Sequence, residues 1–557
     1  MPDDNLTRAE ARERAALVSV RSYDVGLDLT TGAGTFRSTT TIAFECRQPG
    51  SPTFVDLDAP ALVSAHLNGA AVDPSAFDPA RGRIELPALA GDNRLEVVAE
   101  CAYQHTGAGM HRFDDPVDGR VYLHTQFEPF DAHRVFACFD QPDLKARYSL
   151  GVTAPGDWRV VSNGRVAGRD GPKWRFEEVG PISTYLAAVV AGPYHEVQER
   201  HSDIPLGLFC RESMRPYLDV DEIVALTRQG LDFFEAEFGY PYPFTKYDQL
   251  FVPEFNFGAM ENPGCVTFNE SMLFRSRVTE AAREGRASTI LHEMAHMWFG
   301  DLVTMAWWDD LWLNESFATY MATHALAEAT RFTHAWVRFA SGTKAAAARQ
   351  DQLPSTHPIS ADIVDTDAVR LHFDGITYAK GASVLKQLVA WVGQEAFVKG
   401  VRAYFRRHEW ANATLADFLA SLEEASGRDL DAWSKEWLET AGVNTLRAVP
   451  AAAGGGGAGW AVAQEAAASQ PTLRSHRVAV GAFTRGAGGL TRHRRTELDV
   501  VGPRTPLTGD LGDPDLLLVN DDDLTYAKIR LDERSLATVA AYLSELTDPL
   551  ARNLCWA

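Results

Sequence analysis

The stretch TILHEMAHMWFGD, residues 289–301, sets His292 and His296 four residues apart with Glu293 beside the first. On an α-helix four residues turn through about 400°, so the two imidazoles lie about 40° and one turn apart and can converge on one cation. A catalytic zinc takes three protein ligands, commonly neutral imidazoles among them, and keeps a fourth position for water. Glu293 can then accept that water's proton rather than bind metal. The bland alternative is a helix whose histidines are core residues, but with 16 histidines in 557 residues chance seldom supplies this pattern. Ile290, Leu291, Met294, Ala295, Met297, Trp298 and Phe299 predict a helix buried on most sides, with Gly300 as its stop.

One helix presents only two side chains well to an ion, so a third ligand must come from elsewhere. Glu315, in LWLNESFATY, is the candidate. The intervening DLVTMAWWDD offers a break at Gly300 and Asp301, a short extended run, and the Asp309 and Asp310 pair to cap a second helix. An isolated glutamate is normally part of a solvated face; its interval after HExxH argues against that here.

Residues 292–320, HEMAHMWFGDLVTMAWWDDLWLNESFATY, resemble the zinc signature of the aminopeptidase N family of gluzincin metallopeptidases. The resemblance implies one zinc ion per chain, held by His292, His296 and Glu315, with Glu293 as the base. Upstream, Gly258, Ala259, Met260, Glu261 and Asn262 form a GAMEN pentapeptide between the strand-like runs QLFVPEF and GCVTF. Alone it reads as a turn; beside the zinc motif it resembles the family's exopeptidase signature. The physics is separable: cutting only the first residue needs a carboxylate to hold the α-ammonium and backbone groups to align the peptide as an added strand. Glu261 would supply the charge, and Gly258 and Ala259 allow close backbone approach. By family analogy Met260 lines the side-chain pocket.

The same resemblance brings in three further residues. Gln126 and Glu128 lie at the end of a strand in VYLHTQFEPF; it implies that Glu128 also grips the amine and Gln126 shapes the first side-chain pocket, although Glu128 alone reads as a surface carboxylate. The neighbouring FACFDQPDLKAR is similar to the family's FPCFDEP stretch, with Ala137 and Gln141 departing from it. Tyr378, ahead of a helix beginning near Lys380, would alone be a packed aromatic; in the family's Y-x-K-G stretch it donates to the tetrahedral oxyanion.

These residues need elements to position them. Short alternating runs from Ser22 to about residue 192 predict strands. A helical stripe of Ile223, Val224, Leu226, Leu231, Phe234 and Phe238 follows, ended by Gly239. Helical patterns recur near 379–391, 395–408 and 414–425, and strands return after Gly442, with AAAGGGGAG (451–459) read as a hairpin loop. The fold class is multidomain α+β. Residues 1–195 are expected to form a β-rich N-terminal domain, 196–442 a mixed, helix-rich domain, 443–530 a small β-sandwich, and 531–557 the start of a truncated helical region; the resemblance implies that the first is saddle-like and the second a thermolysin-like zinc domain.

Composition is that of an ordinary globular protein, with 45% hydrophobic and 23% charged residues. A net charge of −22, from 53 basic and 75 acidic side chains, disfavours nucleic acid and anionic membranes and favours cationic ligands such as a peptide's ammonium. TRHRRTE (491–497) reads as an exposed basic turn, and His105, His111, His124 and His133 as dispersed residues without ligand spacing. Six scattered cysteines read as reduced thiols. The start lacks the apolar core of a signal peptide and no run reaches the ~20 apolar residues of a membrane span, so a cytoplasmic, membrane-free protein is expected. A monomer is expected. The expectation is a zinc aminopeptidase acting on peptides with a free N-terminus. The alternatives are an epoxide-acting metallohydrolase of the same superfamily, disfavoured by Ala259, and a non-catalytic zinc or peptide-binding protein, disfavoured by Glu293.

Overall fold

A computed structural model describes residues 5–451, 459–509 and 511–556. The chain divides into two compact units, one of Met1–Trp308, Ile363–Leu371 and Phe405–Thr414, the other of Asp309–Asp362, His372–Tyr404 and Leu415–Ala557.

The first unit opens with a helix that strand alternation did not anticipate, α1 (Arg8–Leu17). Thr7 and Glu10 cap it reciprocally: the Glu10 backbone N–H donates to Thr7 Oγ1 over 3.2 Å and the Thr7 N–H to Glu10 Oε2 over 3.0 Å. Its buried face carries Ala11 and Arg14 rather than an apolar stripe, and Arg14 Nη1 lies 2.7 Å from Asp56 Oδ2.

The alternating segments then form sheets. In β1 (Val18–Asp28), Tyr23, Val25 and Leu27 are buried, as their period of two requires. This strand pairs antiparallel with β2 (Thr35–Cys46), which pairs in turn with β3 (Asp92–Ala102). The strands β4 (Gly109–Asp114) and β5 (Val121–Gln126) belong to a separate four-stranded sheet, whereas β6 (Ala146–Thr153) runs parallel to β1 in the nine-stranded one.

A five-stranded sheet belongs to the same unit. It contains β7 (Tyr194–His201) and β8 (Ile204–Arg211), and after the helix α2 (Val220–Phe238) it continues with β9 (Tyr247–Val252), β10 (Ala259–Met260) and β11 (Cys265–Asn269). Its order is β7, β8, β9, β11, β10, so the GAMEN strand is an edge. The predicted stripe of α2 is buried in full, and Gly239, at φ 59°, ends the helix in the left-handed region. The next helix, α3 (Glu280–His296), packs closely on α2: a Cβ added at Gly230 would stand 2.5 Å from Leu291 Cδ2 and 2.7 Å from Met294 Sδ.

In the second unit, α4 (Leu311–Ala329) and α5 (Gly381–Val392) are the central helices. Two sheets follow. One holds β12 (Thr445–Pro450) and β13 (Trp460–Glu465); the other is built from β14 (His476–Gly486), β15 (Gly489–Val500) and β16 (Leu516–Asp521). Leu446, Val462, Val478, Val480 and Val519, drawn from both sheets, share one apolar core. Pro450 pairs with Trp460, and the glycine-rich loop expected between them lies, at 452–458, outside the described residues. Two short helices, α6 (Glu533–Tyr542) and α7 (Pro549–Trp556), come last.

The basic run at 491–497 is not a turn but part of β15. That strand is a sheet edge, where charged side chains remain solvated and discourage pairing with other chains. Arg492 and Arg495 there bind Asp521 and Asp522, at 2.6 Å for Arg492 Nη1 to Asp521 Oδ2. The folded strands bring the His111 ring to 4.8 Å from His124 and 6.4 Å from His105. All six cysteines are free thiols, and no helix among the described residues is long and apolar enough to cross a membrane.

Candidate active site

The helix of the HExxH motif, α3, starts where Thr279 accepts a hydrogen bond from the Ala282 N–H, at 3.2 Å. It ends at His296, one turn earlier than the apolar run to Phe299 predicts. Met297 to Phe299 form a turn instead, closed by the Phe299 N–H on the Ala295 carbonyl at 3.2 Å, and Gly300 at φ 130° redirects the chain. That turn has a use. His296 Nδ1 lies 3.1 Å from the Phe299 carbonyl oxygen, which can only accept, so the ring donates from Nδ1 there and is held with Nε2 turned toward His292.

His292 and His296 face each other with ring centroids 4.7 Å apart and Nε2 atoms 3.1 Å apart. Two imidazole nitrogens turned to one point form a donor pair suited to a cation. Glu293 is 4% exposed and Glu261 is 4% exposed, and an oxygen of each lies within 4.8 Å of the other and of a His296 nitrogen. So within this unit the structure brings together one histidine of the motif, its glutamate, and the glutamate of GAMEN.

The GAMEN segment is placed by its strand. Ala259 and Met260 pair antiparallel with Phe268 and Thr267 on β11, and Asn262 Nδ2 donates to Thr267 Oγ1 over 3.3 Å, which fixes the chain beyond Glu261. A Cβ at Gly258 would meet nothing nearer than Met272 Cε at 4.0 Å, so the space beside this backbone is open. Gln126, at the end of β5, is buried and donates from Nε2 to Met260 Sδ over 3.3 Å. Glu128 is buried as well, at 6% exposure, unlike the surface carboxylate it suggests in isolation.

Two groups beneath this cluster were not singled out from the sequence. Asp301 is fully buried, and neither carboxylate oxygen has a hydrogen-bond partner among the described residues. Burial first, then the charge of Glu261, pushes its pKa well above the usual carboxylate range. Lys145 donates from Nζ to the Asp301 and Leu302 carbonyl oxygens at 2.9 and 3.1 Å, and burial pulls its pKa down to about 7. A lone lysine 156 positions from its partner gives no signal in sequence.

The other site residues belong to the second unit. Asp310 stands at the start of α4, as expected, yet its side chain makes no cap; Oδ2 instead accepts from the Leu415 N–H at 3.0 Å, and burial pushes its pKa up to about 6. Glu315 on the second turn of α4 is 3% exposed. Its neighbour Ser316 donates to the Thr377 carbonyl over 2.6 Å, beside Tyr378. Tyr378 lies not ahead of a helix but within a π-helical turn, Ile376–Lys380, that runs into α5. Asp374 Oδ1 accepts the Ile376 and Thr377 N–H groups at 3.0 and 3.1 Å, and Lys380 Nζ pairs with Asp351 Oδ2 at 2.9 Å, fully buried. The turn is thus held at both ends.

Residues 19–186 match the peptidase M1 N-terminal domain, and residues 224–437 match the peptidase family M1 domain. The whole chain is 55% identical to "Aminopeptidase N" of Streptomyces lividans over 578 aligned positions, which covers 67% of that protein. The chain belongs to the M1 peptidase family. Other relatives are less similar: "Probable aminopeptidase 2" of Sulfurisphaera tokodaii is 34% identical over 76% of this chain and 54% of its own length. "Tricorn protease-interacting factor F2" of Thermoplasma volcanium is 36% identical over 58% of this chain and 41% of its own. The chain therefore spans from about two fifths to two thirds of the length of these relatives. Gln126 and Glu128 fall within the N-terminal M1 match, and every other candidate residue within the second.

Proposed function

We propose that this M1 metallo-aminopeptidase binds one zinc ion through His292, His296 and Glu315 and hydrolyses the first peptide bond of substrates with a free N-terminus. Each of the three residues offers one ligand atom, two imidazole nitrogens and a carboxylate oxygen, the donor set a catalytic zinc takes. When bound, zinc polarises the scissile carbonyl and makes water nucleophilic at neutral pH. Glu293 takes the proton of the attacking water and passes it to the departing amine. Tyr378 donates a hydrogen bond to the oxyanion, a contribution whose loss typically costs about 10²- to 10³-fold in rate.

The observation that carries the exopeptidase reading is the buried Glu261 carboxylate, within 4.8 Å of Glu293 and His296. A substrate α-ammonium satisfies that charge, with Glu128 assisting. An internal peptide bond brings no ammonium and leaves the carboxylate desolvated, a penalty of several kcal/mol. The free edge at Ala259 and Met260 suits a peptide added as a strand, with Met260 and Gln126 lining the first side-chain pocket. A saddle-like domain over 1–195, a thermolysin-like domain over 196–442, a β-sandwich over 443–530, a helical region from 531, a cytoplasmic location and a monomeric state complete the proposal.

The test is a panel of aminoacyl anilides given to zinc-loaded protein. Amine release from free substrates and none from N-acetylated ones is expected; no release from any member of the panel would overturn the reading.

A further inference from the structure

The Tyr378 turn is capped by a carboxylate that is itself held by a histidine outside any motif. Asp374 Oδ1 accepts the Ile376 and Thr377 N–H groups, and its carbonyl accepts the Tyr378 N–H at 3.0 Å. The other oxygen, Oδ2, takes a hydrogen bond from Gln350 Nε2 and lies 2.9 Å from His357 Nε2. On the far side of the same ring, His357 Nδ1 lies 2.7 Å from the Pro358 carbonyl oxygen. A carbonyl and a carboxylate can only accept, so both ring nitrogens must donate, and the ring that satisfies both is the imidazolium.

The surroundings agree with this geometry. The hydrogen bond to Asp374 raises the His357 pKa, and Asp374 is lowered in return against the cost of its burial. The other charged and titratable groups facing the ring are His372, with its ring centroid 4.8 Å away and its pKa lowered by burial, and at longer range Lys380, which is paired with Asp351.

We propose that His357, as an imidazolium clamped between the Pro358 carbonyl and the Asp374 carboxylate, is a positioning residue that aims the Tyr378 hydroxyl. This rests on the reading of Tyr378 as the oxyanion donor. Deprotonation removes one of the two clamping hydrogen bonds, so turnover should fall as pH rises past the ordinary histidine range near 6.5.

The experiment follows kcat and KM for an aminoacyl anilide against pH in wild type, His357→Gln, Tyr378→Phe, the double variant and Asp374→Asn, all zinc-loaded. His357→Gln is expected to lower kcat roughly tenfold with KM changed less than about twofold, and to lose the alkaline limb. Asp374→Asn keeps a capping oxygen but not its charge, and should move that limb to lower pH. In a Tyr378→Phe background, His357→Gln should cost nothing further. Equal losses in both backgrounds, or an alkaline limb that stays in place in His357→Gln and in Asp374→Asn, would overturn the proposal. Should His357→Gln not fold, the Asp374→Asn limb decides alone. Unchanged turnover in Tyr378→Phe would instead sink the oxyanion reading on which the proposal rests.

Discussion

Ser316 Oγ donates to the carbonyl oxygen of Thr377 over 2.6 Å, tying the helix of Glu315 to the turn of Tyr378. The two elements can approach because the first residue of α5 is a glycine: a Cβ on Gly381 would stand 1.8 Å from Ser316 Oγ. On the proposed roles of Glu315 as metal ligand and Tyr378 as oxyanion donor, the two must keep a fixed spacing, and this buried hydrogen bond between their immediate neighbours would supply it.

Gly381→Ala should therefore be strongly disruptive. The new methyl must displace Ser316, break its bond to Thr377 and leave a buried carbonyl without that donor, a loss of about 1 to 3 kcal/mol. Thermal unfolding should show a lowered midpoint, and kcat should drop with it. Gly381→Ala combined with Ser316→Ala should recover part of the stability, since the obstructing hydroxyl is gone, while kcat stays low.

Glu293→Gln is expected to keep metal and lose turnover. The amide preserves the shape of a side chain that is almost entirely buried but cannot take a proton. Zinc content by elemental analysis should match wild type, while hydrolysis falls by about 10²- to 10⁴-fold, the usual worth of a general base. Turnover within twofold of wild type would remove Glu293 from the mechanism.

For Glu261, the diagnostic quantity is a ratio. Wild type should prefer free over N-acetylated peptides by a large factor. In Glu261→Gln that factor should shrink mainly through a fall in kcat/KM for the free peptide, because a neutral amide no longer compensates the ammonium. Comparing the two peptides on both proteins checks this, and an undiminished preference counts against the anchoring role.

The parts of this site that sequence disclosed are those set by local periodicity. His292, Glu293 and His296 were legible because helix geometry alone brings residues four apart to one face, and the stripe of α2 was legible for the same reason. Gln126, Glu128 and Tyr378 needed the resemblance, since nothing local distinguishes them. Lys145 under Asp301, and His357 behind Asp374, were illegible because their meaning lies in partners that only tertiary folding supplies. The end of α3 was misplaced because apolar residues continue past it: Trp298 is buried in the turn as fully as it would be in a helix.

α1 makes the same point and yields a last prediction. Thr7 and Glu10 carried a capping-box spacing in plain view, but the helix buries Arg14 where a stripe reading looks for an apolar residue, and Gln141, one of the departures from the family pattern, accepts from Arg14 Nε at 2.6 Å. Glu10 itself is partly solvated. Burial works to raise its pKa, but the hydrogen bond from Arg83 and those from Thr7 overcome this and hold it at about 2. A carboxyl depressed on folding stabilises the native state fully above its unfolded value near 4.5, and that contribution is lost as pH falls toward 2. Glu10→Gln should lower the unfolding midpoint at pH 7 modestly, since the group is partly exposed, and the difference from wild type should vanish by about pH 2. Thermal unfolding of both proteins between pH 7 and pH 2 measures it. A gap that persists unchanged into acid would show that the Glu10 charge, and with it the Arg83 pair, contributes nothing to docking α1.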